Sequence, residues 1–330
     1  MAETAENRVL AVGVHGIGDH AQRTVLPAMD ACPAVRLKAV STRNRETRAA
    51  TAACWDCPGW ASLDEMLEST ELDAVMVCSP IGRHHDDGAK VLAAGVHLWS
   101  EKAFTRTLAE AEDLCAIASE RDLGICVSMA PAHHALFHAI RELLNDGAIG
   151  RVRDIDGHFG FPHLDRDRPV YDPTLGGGAL LDMGYYPLVL ATMLTGEAPR
   201  IVGARVAADA GYDVDTEGAA LLEFPSGVQA SVQWGYGRDY INELSIVGET
   251  GAILATPAFS KPAHLPLSLQ IRRQNEIEDV PVAACNQFAE MLGRFAAAMH
   301  DTEARQAFRD DALAHQRLLS DVAQQAQQGL

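Results

Sequence analysis

The feature that most constrains the fold is a glycine turn that directly follows the first apolar run. Residues 8–14 read as a buried strand, and Gly16-Ile17-Gly18-Asp19-His20-Ala21 then forms a G-x-G-x-x-A sequence opening a helix. The first glycine permits a tight turn, the second lets the backbone approach a pyrophosphate, and the small Ala21 packs the helix against the strand. The helix N-terminus faces the phosphates. We therefore predict a dinucleotide site at Gly16, Ile17 and Gly18.

The rest of the first half alternates short apolar runs with helical segments. Apolar residues recur every three or four positions in segments such as 108–118, which predicts helices packed on a parallel sheet. The predicted strands are 8–14, 36–41, 73–79, 96–100 and 124–129. We expect residues 1–130 to form an α/β Rossmann domain with a doubly wound parallel sheet.

After residue 150 the pattern changes to strands joined by turns, at 152–161, 201–208, 217–224, 228–236 and 243–247. The turns at 225–227 and 248–251 predict an antiparallel meander. Helices near 185–194, 287–299 and 310–325 would cover one face. We expect residues 131–330 to form an α+β substrate-binding domain with a largely antiparallel open sheet. The other face of such a sheet often pairs with a second subunit, so a homodimer or homotetramer is expected.

Charge and composition exclude several classes of partner. The formal charge of −18 is spread along the chain, which argues against nucleic acid or an anionic membrane surface. There is no apolar run of roughly 20 residues and no export signal in residues 1–7, so a cytoplasmic location is expected. The seven scattered cysteines are expected to be reduced.

Two spacings resemble metal or redox sites but lack the necessary companions. Cys54 and Cys57 form a C-x-x-C pair without a second pair, and His134 and His138 lie four apart without a recognisable third ligand. We expect no metal.

The end of the second strand favours NADP over NAD. NAD enzymes usually carry an acidic residue there, which hydrogen-bonds the ribose 2′-hydroxyl. This chain instead has Ser41, Thr42 and Arg43, whose hydroxyls and guanidinium suit a 2′-phosphate.

Two further strand ends carry polar residues that we assign to the cofactor: Ser79-Pro80 with His84, and Glu101-Lys102. The carboxyl edge of a parallel sheet is where a nicotinamide and its substrate lie. The chain has only four lysines, and Lys102 at this edge could hydrogen-bond the reacting oxygen.

The second domain contributes Asp182 and Tyr186 in the run Gly176-Gly177-Gly178-Ala179-Leu180-Leu181-Asp182-Met183-Gly184-Tyr185-Tyr186. Residues four apart on a helical turn share a face, so both could point into one cleft. Tyr186, tuned by a cation such as Lys102, could give a proton to a ketone or take one from an alcohol. The alternative is that Tyr186 is a core residue and Asp182 a helix cap.

Together these motifs resemble the Gfo/Idh/MocA oxidoreductase family, and within it the bacterial nucleotide-sugar 3-ketoreductases. The resemblance implies that Lys102 lies at the nicotinamide and substrate, that Asp182 contacts substrate, and that Tyr186 takes the place of a catalytic histidine or tyrosine. It also implies that Arg23, Tyr240 and Ser260 hold a substrate diphosphate or nucleoside. Lys102 and Tyr186 should then converge over the nicotinamide.

We therefore expect an NADP(H)-dependent oxidoreductase that transfers a hydride between nicotinamide and a sugar carbonyl or alcohol, as a keto-sugar reductase. One alternative is a dehydrogenase of free aldoses or cyclitols. Another is a non-catalytic dinucleotide-sensing regulator, which finds support in Ala103 where the family carries a proline after Glu-Lys.

Overall fold

The computed structural model describes residues 8–274 and 276–328, which divide into two compact units. The first contains residues up to Ser128 together with Phe288–Gln316, and the second contains Met129–Gln287 and the residues from Arg317 onward. Residues 288–316 thus group with the N-terminal part of the chain. Each unit is described separately below.

Fourteen strands are found in the described residues, and we number them along the chain: β1 (Leu10–His15), β2 (Val35–Ser41), β3 (Gly59–Trp60), β4 (Ala74–Val77), β5 (His97–Ser100), β6 (Ile125–Val127), β7 (Val152–Gly160), β8 (Arg200–Ala207), β9 (Glu217–Glu223), β10 (Gln229–Gly235), β11 (Ile241–Gly248), β12 (Ala252–Ala255), β13 (Leu267–Arg273) and β14 (Glu276–Val282). The α-helices of the same residues are α1 (Leu26–Asp30), α2 (Arg45–Cys54), α3 (Leu63–Ser69), α4 (Ile81–Ala93), α5 (Leu108–Glu120), α6 (Ala135–Asn145), α7 (Tyr185–Thr195), α8 (Gln287–Met299) and α9 (Thr302–Gln328).

The first unit is a parallel sheet in the order β3-β2-β1-β4-β5-β6. Its central strands are apolar on both faces because helices cover both, and every residue of β4 is buried. The strand order reverses between β1 and β4, which creates a crevice at their carboxyl ends where open α/β sheets bind ligands. This arrangement confirms the predicted doubly wound Rossmann domain.

Two parts of this unit were not anticipated. Strand β3 has two residues, too few to show a periodic pattern. Helix α8 belongs to this unit, where Phe295 packs on Trp99 with ring centroids 5.7 Å apart. The core of the first unit therefore draws on residues distant in sequence.

The second unit is an eight-stranded sheet in the order β14-β13-β12-β11-β7-β10-β9-β8. It confirms the predicted, largely antiparallel open sheet with helices. The predicted antiparallel meander is wrong at one place, because β7 lies between β10 and β11 and pairs parallel with β10. Two meanders, β8-β9-β10 and β11-β12-β13-β14, thus flank the first strand of the unit.

Strands β12, β13 and β14 were not predicted. Strand β14 has the residues Glu-Ile-Glu-Asp-Val-Pro-Val, of which Val280 is half-buried, Val282 is buried and the other five are exposed, so it has no continuous apolar face of its own. It is defined by its ladder to β13, from Leu267 opposite Val282 to Arg273 opposite Glu276. Within the described residues, no helix is long and apolar enough to cross a bilayer.

Candidate active site

The glycine turn after β1 brings the backbone of two strand ends together. Gly16 has a φ of +88°, and a Cβ added there would lie 2.5 Å from the Ser79 nitrogen, so only glycine fits. Gly18 differs, because a Cβ there would have no atom within 4 Å. The side chain of Ile17 is buried, so its backbone is what it offers a ligand. The turn therefore presents an open backbone surface at Gly18, which fits the approach of a pyrophosphate.

A histidine that sequence reasoning missed connects three strand ends beside this turn. His15 Nδ1 lies 2.8 Å from Ser41 Oγ, and its Nε2 lies 3.5 Å from Asp87 Oδ2. The Ser79 hydroxyl donates to the same Asp87 oxygen at 2.7 Å. These contacts lower the pKa of Asp87 against the opposing effect of its burial. The side chain of Ser41 is fully buried in this network, where its hydroxyl contacts His15.

The end of β2 carries basic side chains and continues the predicted 2′-phosphate site. Arg43 is exposed and Thr42 half-buried. Arg48, from the first turns of α2, donates through its guanidinium to the Thr42 carbonyl at 3.0 Å. A second guanidinium thus lies against the backbone of the residue that precedes Arg43, and guanidinium groups suit a dianionic phosphate.

His84 is buried and ties two loops at the sheet edge together. Its Nε2 lies 2.7 Å from the Ser79 carbonyl oxygen, and its Nδ1 lies 3.0 Å from that of Ala103 and 3.1 Å from that of Phe104. Burial lowers the pKa of His84, and a neutral ring donates through one nitrogen at a time. Ser79 and Pro80 precede α4, with Pro80 as its N-cap. The His84 ring therefore contacts both loops that carry the other candidate residues and donates a hydrogen bond to one of them.

Glu101 lies at the end of β5 and is 9% exposed. Its carboxylate accepts from the Ser128 hydroxyl at 3.1 Å and lies 3.3 Å from His20 Nε2. Burial acts to raise its pKa, but His20, Lys102 and Ser128 outweigh it, so the pKa of Glu101 is lowered and the group is anionic. It joins the ends of β5 and β6 to the helix after the glycine turn. Lys102 follows, half-buried, and its peptide bond to Ala103 is cis.

In the second unit, Asp182 lies in a π-helical turn, Leu180–Gly184, that runs into α7. The turn begins where the Asp215 carboxylate accepts from the Leu180 nitrogen at 2.7 Å, and burial raises the pKa of Asp215 to about 6. It ends at Gly184, where a Cβ would lie 2.9 Å from the Trp234 ring. The glycines of this segment therefore permit a helical start packed directly on β10.

Tyr186 and Asp182 face one cluster of aromatic rings. Tyr186 packs edge-on against Phe159, Phe159 against Phe161, and Phe161 against Tyr236, with centroids 5.6, 5.9 and 5.4 Å apart. The Tyr236 hydroxyl donates to Asp182 Oδ2 at 2.6 Å. Asp182 and Tyr186 thus contact opposite ends of one chain of aromatic rings within this unit.

Tyr240 and Ser260 are joined by the Asn242 side chain. Asn242 Nδ2 donates to the Tyr240 hydroxyl and to the Ser260 carbonyl, both at 2.9 Å, while its Oδ1 accepts from the nitrogens of Ala258 and Phe259. Tyr240 is 58% exposed. Phe259 packs on Phe159, the ring that Tyr186 also contacts, so these candidates lie on the same part of the second unit.

The other predicted residues are placed as follows. Arg23 is exposed in the first unit, in the π-helical turn Ala21–Val25 after the glycine turn. His134 is buried and caps α6, its Nδ1 accepting from the Leu136 nitrogen. Among the described residues, no three His, Cys, Asp or Glu side chains group as a metal-binding set.

Comparisons with known proteins place both halves of the chain in the same family. A family model described as an oxidoreductase family with an NAD-binding Rossmann fold matches residues 10–129, and a Gfo/Idh/MocA C-terminal domain model matches residues 137–254. A dTDP-3,4-didehydro-2,6-dideoxy-alpha-D-glucose 3-reductase of Streptomyces violaceoruber is 35% identical over 88% of this chain and 86% of its own length. A reductase of the same name from Actinomadura kijaniata is 30% identical over 98% of this chain and 97% of its own.

Among solved structures, KijD10, a 3-ketoreductase from Actinomadura kijaniata in complex with NADP and TDP-benzene, aligns with a TM-score of 0.91. It is 30% identical, and the alignment covers 96% of this chain and 97% of that one. Both domains of the chain are thus matched, in order, by one family of enzymes. The protein belongs to the Gfo/Idh/MocA oxidoreductase family and is similar to its nucleotide-sugar 3-ketoreductases.

Proposed function

We propose that this protein is an NADPH-dependent ketoreductase that reduces a keto group of a nucleotide-linked deoxysugar. The observation that carries the proposal is the match over nearly the whole chain to a 3-ketoreductase whose structure holds NADP and TDP-benzene. Free-sugar dehydrogenases share the fold, but no residue of the described structure favours them over a nucleotide-linked substrate.

The residues of the first unit fit the cofactor. The open backbone at Gly18 and the helix start behind it suit the pyrophosphate, and Thr42, Arg43 and Arg48 suit the 2′-phosphate. NADPH, when bound, supplies the hydride. Glu101 and His84 act indirectly, since they hold the strand ends that carry Lys102 and Ser79.

The chemical step needs a hydrogen-bond donor and a proton donor at the ketone oxygen. As the hydride adds to the carbonyl carbon, negative charge develops on that oxygen, and the ammonium of Lys102 stabilises it. The Tyr186 phenol gives the proton that completes the alcohol. Asp182 orients the sugar through hydrogen bonds to its hydroxyls. These three roles require Lys102 and Tyr186 to converge on one substrate.

The nucleotide part of the substrate would be held by three residues. Tyr240 offers an exposed ring whose hydroxyl is fixed by Asn242, and the Ser260 loop is held by the same amide. An aromatic face can stack on a base, and Arg23 can pair with a diphosphate.

We also propose that the enzyme is a cytoplasmic homodimer or homotetramer joined through the outer face of the eight-stranded sheet. Support comes from apolar side chains that this sheet leaves exposed, Val202 at 42% and Leu221 at 40%.

The test is a 340 nm assay of NADPH oxidation with a panel of dTDP-linked keto-sugars, free keto-sugars and aldoses. We expect turnover with the nucleotide-linked ketones, and a loss of at least about a hundredfold in kcat for Lys102→Ala with NADPH affinity kept. Lys90→Ala is the matched control, because Lys90 is a surface lysine paired with Asp64.

Three other outcomes would contradict the proposal. Oxidation of aldoses with NADP but no reduction of keto-sugars would indicate a free-sugar dehydrogenase. NADPH binding without turnover on any substrate would indicate a regulator. Full activity of Lys102→Ala would remove the lysine from the mechanism.

A further inference from the structure

The Asp182 carboxylate has a buried phenol as its neighbour, contributed by a part of the chain that the family motifs do not include. Tyr236 directly follows β10, is 2% exposed, and donates from its hydroxyl to Asp182 Oδ2 at 2.6 Å. The distance is that of a strong hydrogen bond between a neutral hydroxyl and a carboxylate. We propose that Tyr236 is a positioning residue for Asp182, and thereby for the substrate, in the ketoreductase reaction proposed above.

The Tyr236 ring cannot easily turn away from this contact. Phe161 and Tyr171 pack edge-on against it, with centroids 5.4 and 5.1 Å away, and His163 lies roughly parallel at 6.4 Å. Its backbone nitrogen donates to the Thr216 carbonyl at 2.8 Å. The phenol is therefore held from the backbone and from three rings, and its hydroxyl has a fixed direction.

The segment that carries Asp182 is held independently. Asp215 accepts from the Leu180 nitrogen, and the turn ends where Gly184 meets Trp234. Because the main chain on both sides is fixed in this way, the Tyr236 hydrogen bond mainly sets the orientation of the Asp182 side chain. A carboxylate so oriented places its acceptor oxygens at defined positions for sugar hydroxyls.

The charge state of the pair favours one direction of donation. Burial and the neighbouring Asp182 strongly raise the pKa of Tyr236, so the phenol stays protonated at any pH at which the enzyme would work. A permanent donor on a carboxylate stabilises its ionised form. Replacing Tyr236 with phenylalanine removes that donor while keeping the ring, so Asp182 should take up a proton at higher pH.

The experiment compares Tyr236→Phe with Tyr171→Phe, in the wild-type background and combined with Asp182→Asn. Tyr171 is a suitable control because it is another buried phenol of the same cluster, whose hydroxyl accepts from the Leu164 nitrogen at 3.0 Å and lies 3.3 Å from His163 Nδ1. We expect Tyr236→Phe to lower kcat/KM for the keto-sugar about five- to fiftyfold. The acid limb of its pH profile should move upward by about one unit.

In the Asp182→Asn background the same change should cost little, because the carboxylate it serves is already gone. Tyr171→Phe should leave the position of the acid limb unchanged. Equal losses with and without Asp182, or an unmoved acid limb in Tyr236→Phe, would overturn the proposal.

A second readout separates this idea from the proposed function. The pKa of the Asp182 carboxyl can be followed by carbon-13 NMR of aspartate-labelled protein, with Asp182→Asn identifying the resonance. An upward shift in Tyr236→Phe supports the link even if no keto-sugar is turned over. An unchanged carboxyl pKa refutes the link even if the enzyme is a ketoreductase.

Discussion

Gly16 and Gly18, two residues apart in the same turn, should respond in opposite ways to the same substitution. At Gly16 an alanine must adopt a φ of +88°, which costs about 1 to 3 kcal/mol. Its Cβ would also lie 2.5 Å from the Ser79 nitrogen and 2.7 Å from the Cys78 carbonyl carbon. Backbone atoms cannot move aside as a flexible side chain can, so the overlap adds about 1 to 3 kcal/mol.

Gly18 has neither problem in the absence of cofactor. Its φ lies outside the left-handed region, and a Cβ would meet no atom within 4 Å. Alanine there should leave the free energy of unfolding unchanged or raise it by up to about 1 kcal/mol, because it restricts the unfolded chain. The added methyl group would instead occupy the space in which the pyrophosphate approaches the backbone.

The assay has two parts. Urea unfolding without cofactor, followed by tryptophan fluorescence, should show Gly16→Ala destabilised by about 2 to 6 kcal/mol and Gly18→Ala close to wild type. Titration with NADPH should show Gly18→Ala binding at least tenfold more weakly, about 1.4 kcal/mol. An unchanged NADPH affinity in Gly18→Ala would refute our location of the pyrophosphate, and a fully stable Gly16→Ala would refute the steric argument.

Two further predictions concern charge. Arg43→Ala should weaken NADPH binding about tenfold and leave NADH binding nearly unchanged, because only NADPH carries the 2′-phosphate; equal losses for both cofactors in paired titrations would place Arg43 elsewhere. His97 Nδ1 accepts from the Gly124 nitrogen at 2.9 Å, and burial together with Arg305 lowers the pKa of His97 to about 4. This folded-state pKa lies below the unfolded value near 6.5, so the neutral ring contributes stability that is fully present above pH 6.5. That contribution, about 2 to 3 kcal/mol in all, is lost as pH falls from 6.5 to 4. His97→Gln keeps an acceptor for the Gly124 nitrogen and should lose less stability than the wild type as pH falls from 6.5 to 4. Urea unfolding at several pH values measures this loss. If the free energy of unfolding fell equally with pH in both proteins, His97 would not be the titrating group.

Several parts of the site follow from short stretches of sequence. The glycine turn after β1, the basic end of β2 and the Glu101-Lys102 pair after β5 each occupy a strand end, and parallel strands all end at one edge of a sheet. Local spacing is therefore enough to predict that these residues belong to a cofactor site. The pair Asp182 and Tyr186 was likewise predicted from helical spacing, and the structure shows that the turn containing Asp182 is π-helical.

The order of the strands in the second sheet could not be predicted from local spacing. The turns at 225–227 and 248–251 predict which neighbouring strands pair, and these hairpins are present. These turns do not reveal that β7 lies between two meanders and pairs with β10. The first residues of the two strands, Val152 and Gln229, are 77 positions apart in the sequence. Strand insertion depends on long-range burial of one apolar face, for which a single sequence has no local signal.

The sequence by itself determined the Rossmann domain and the family, and it predicted which residues are chemically active, because each depends on residue type and short spacing. Only the tertiary structure decided which side chains support them. Tyr236 reaches Asp182 across 54 positions, and His15 reaches Ser41 across 26. A hydrogen bond is formed wherever folding brings donor and acceptor within about 3 Å, and that proximity is a property of the packed chain.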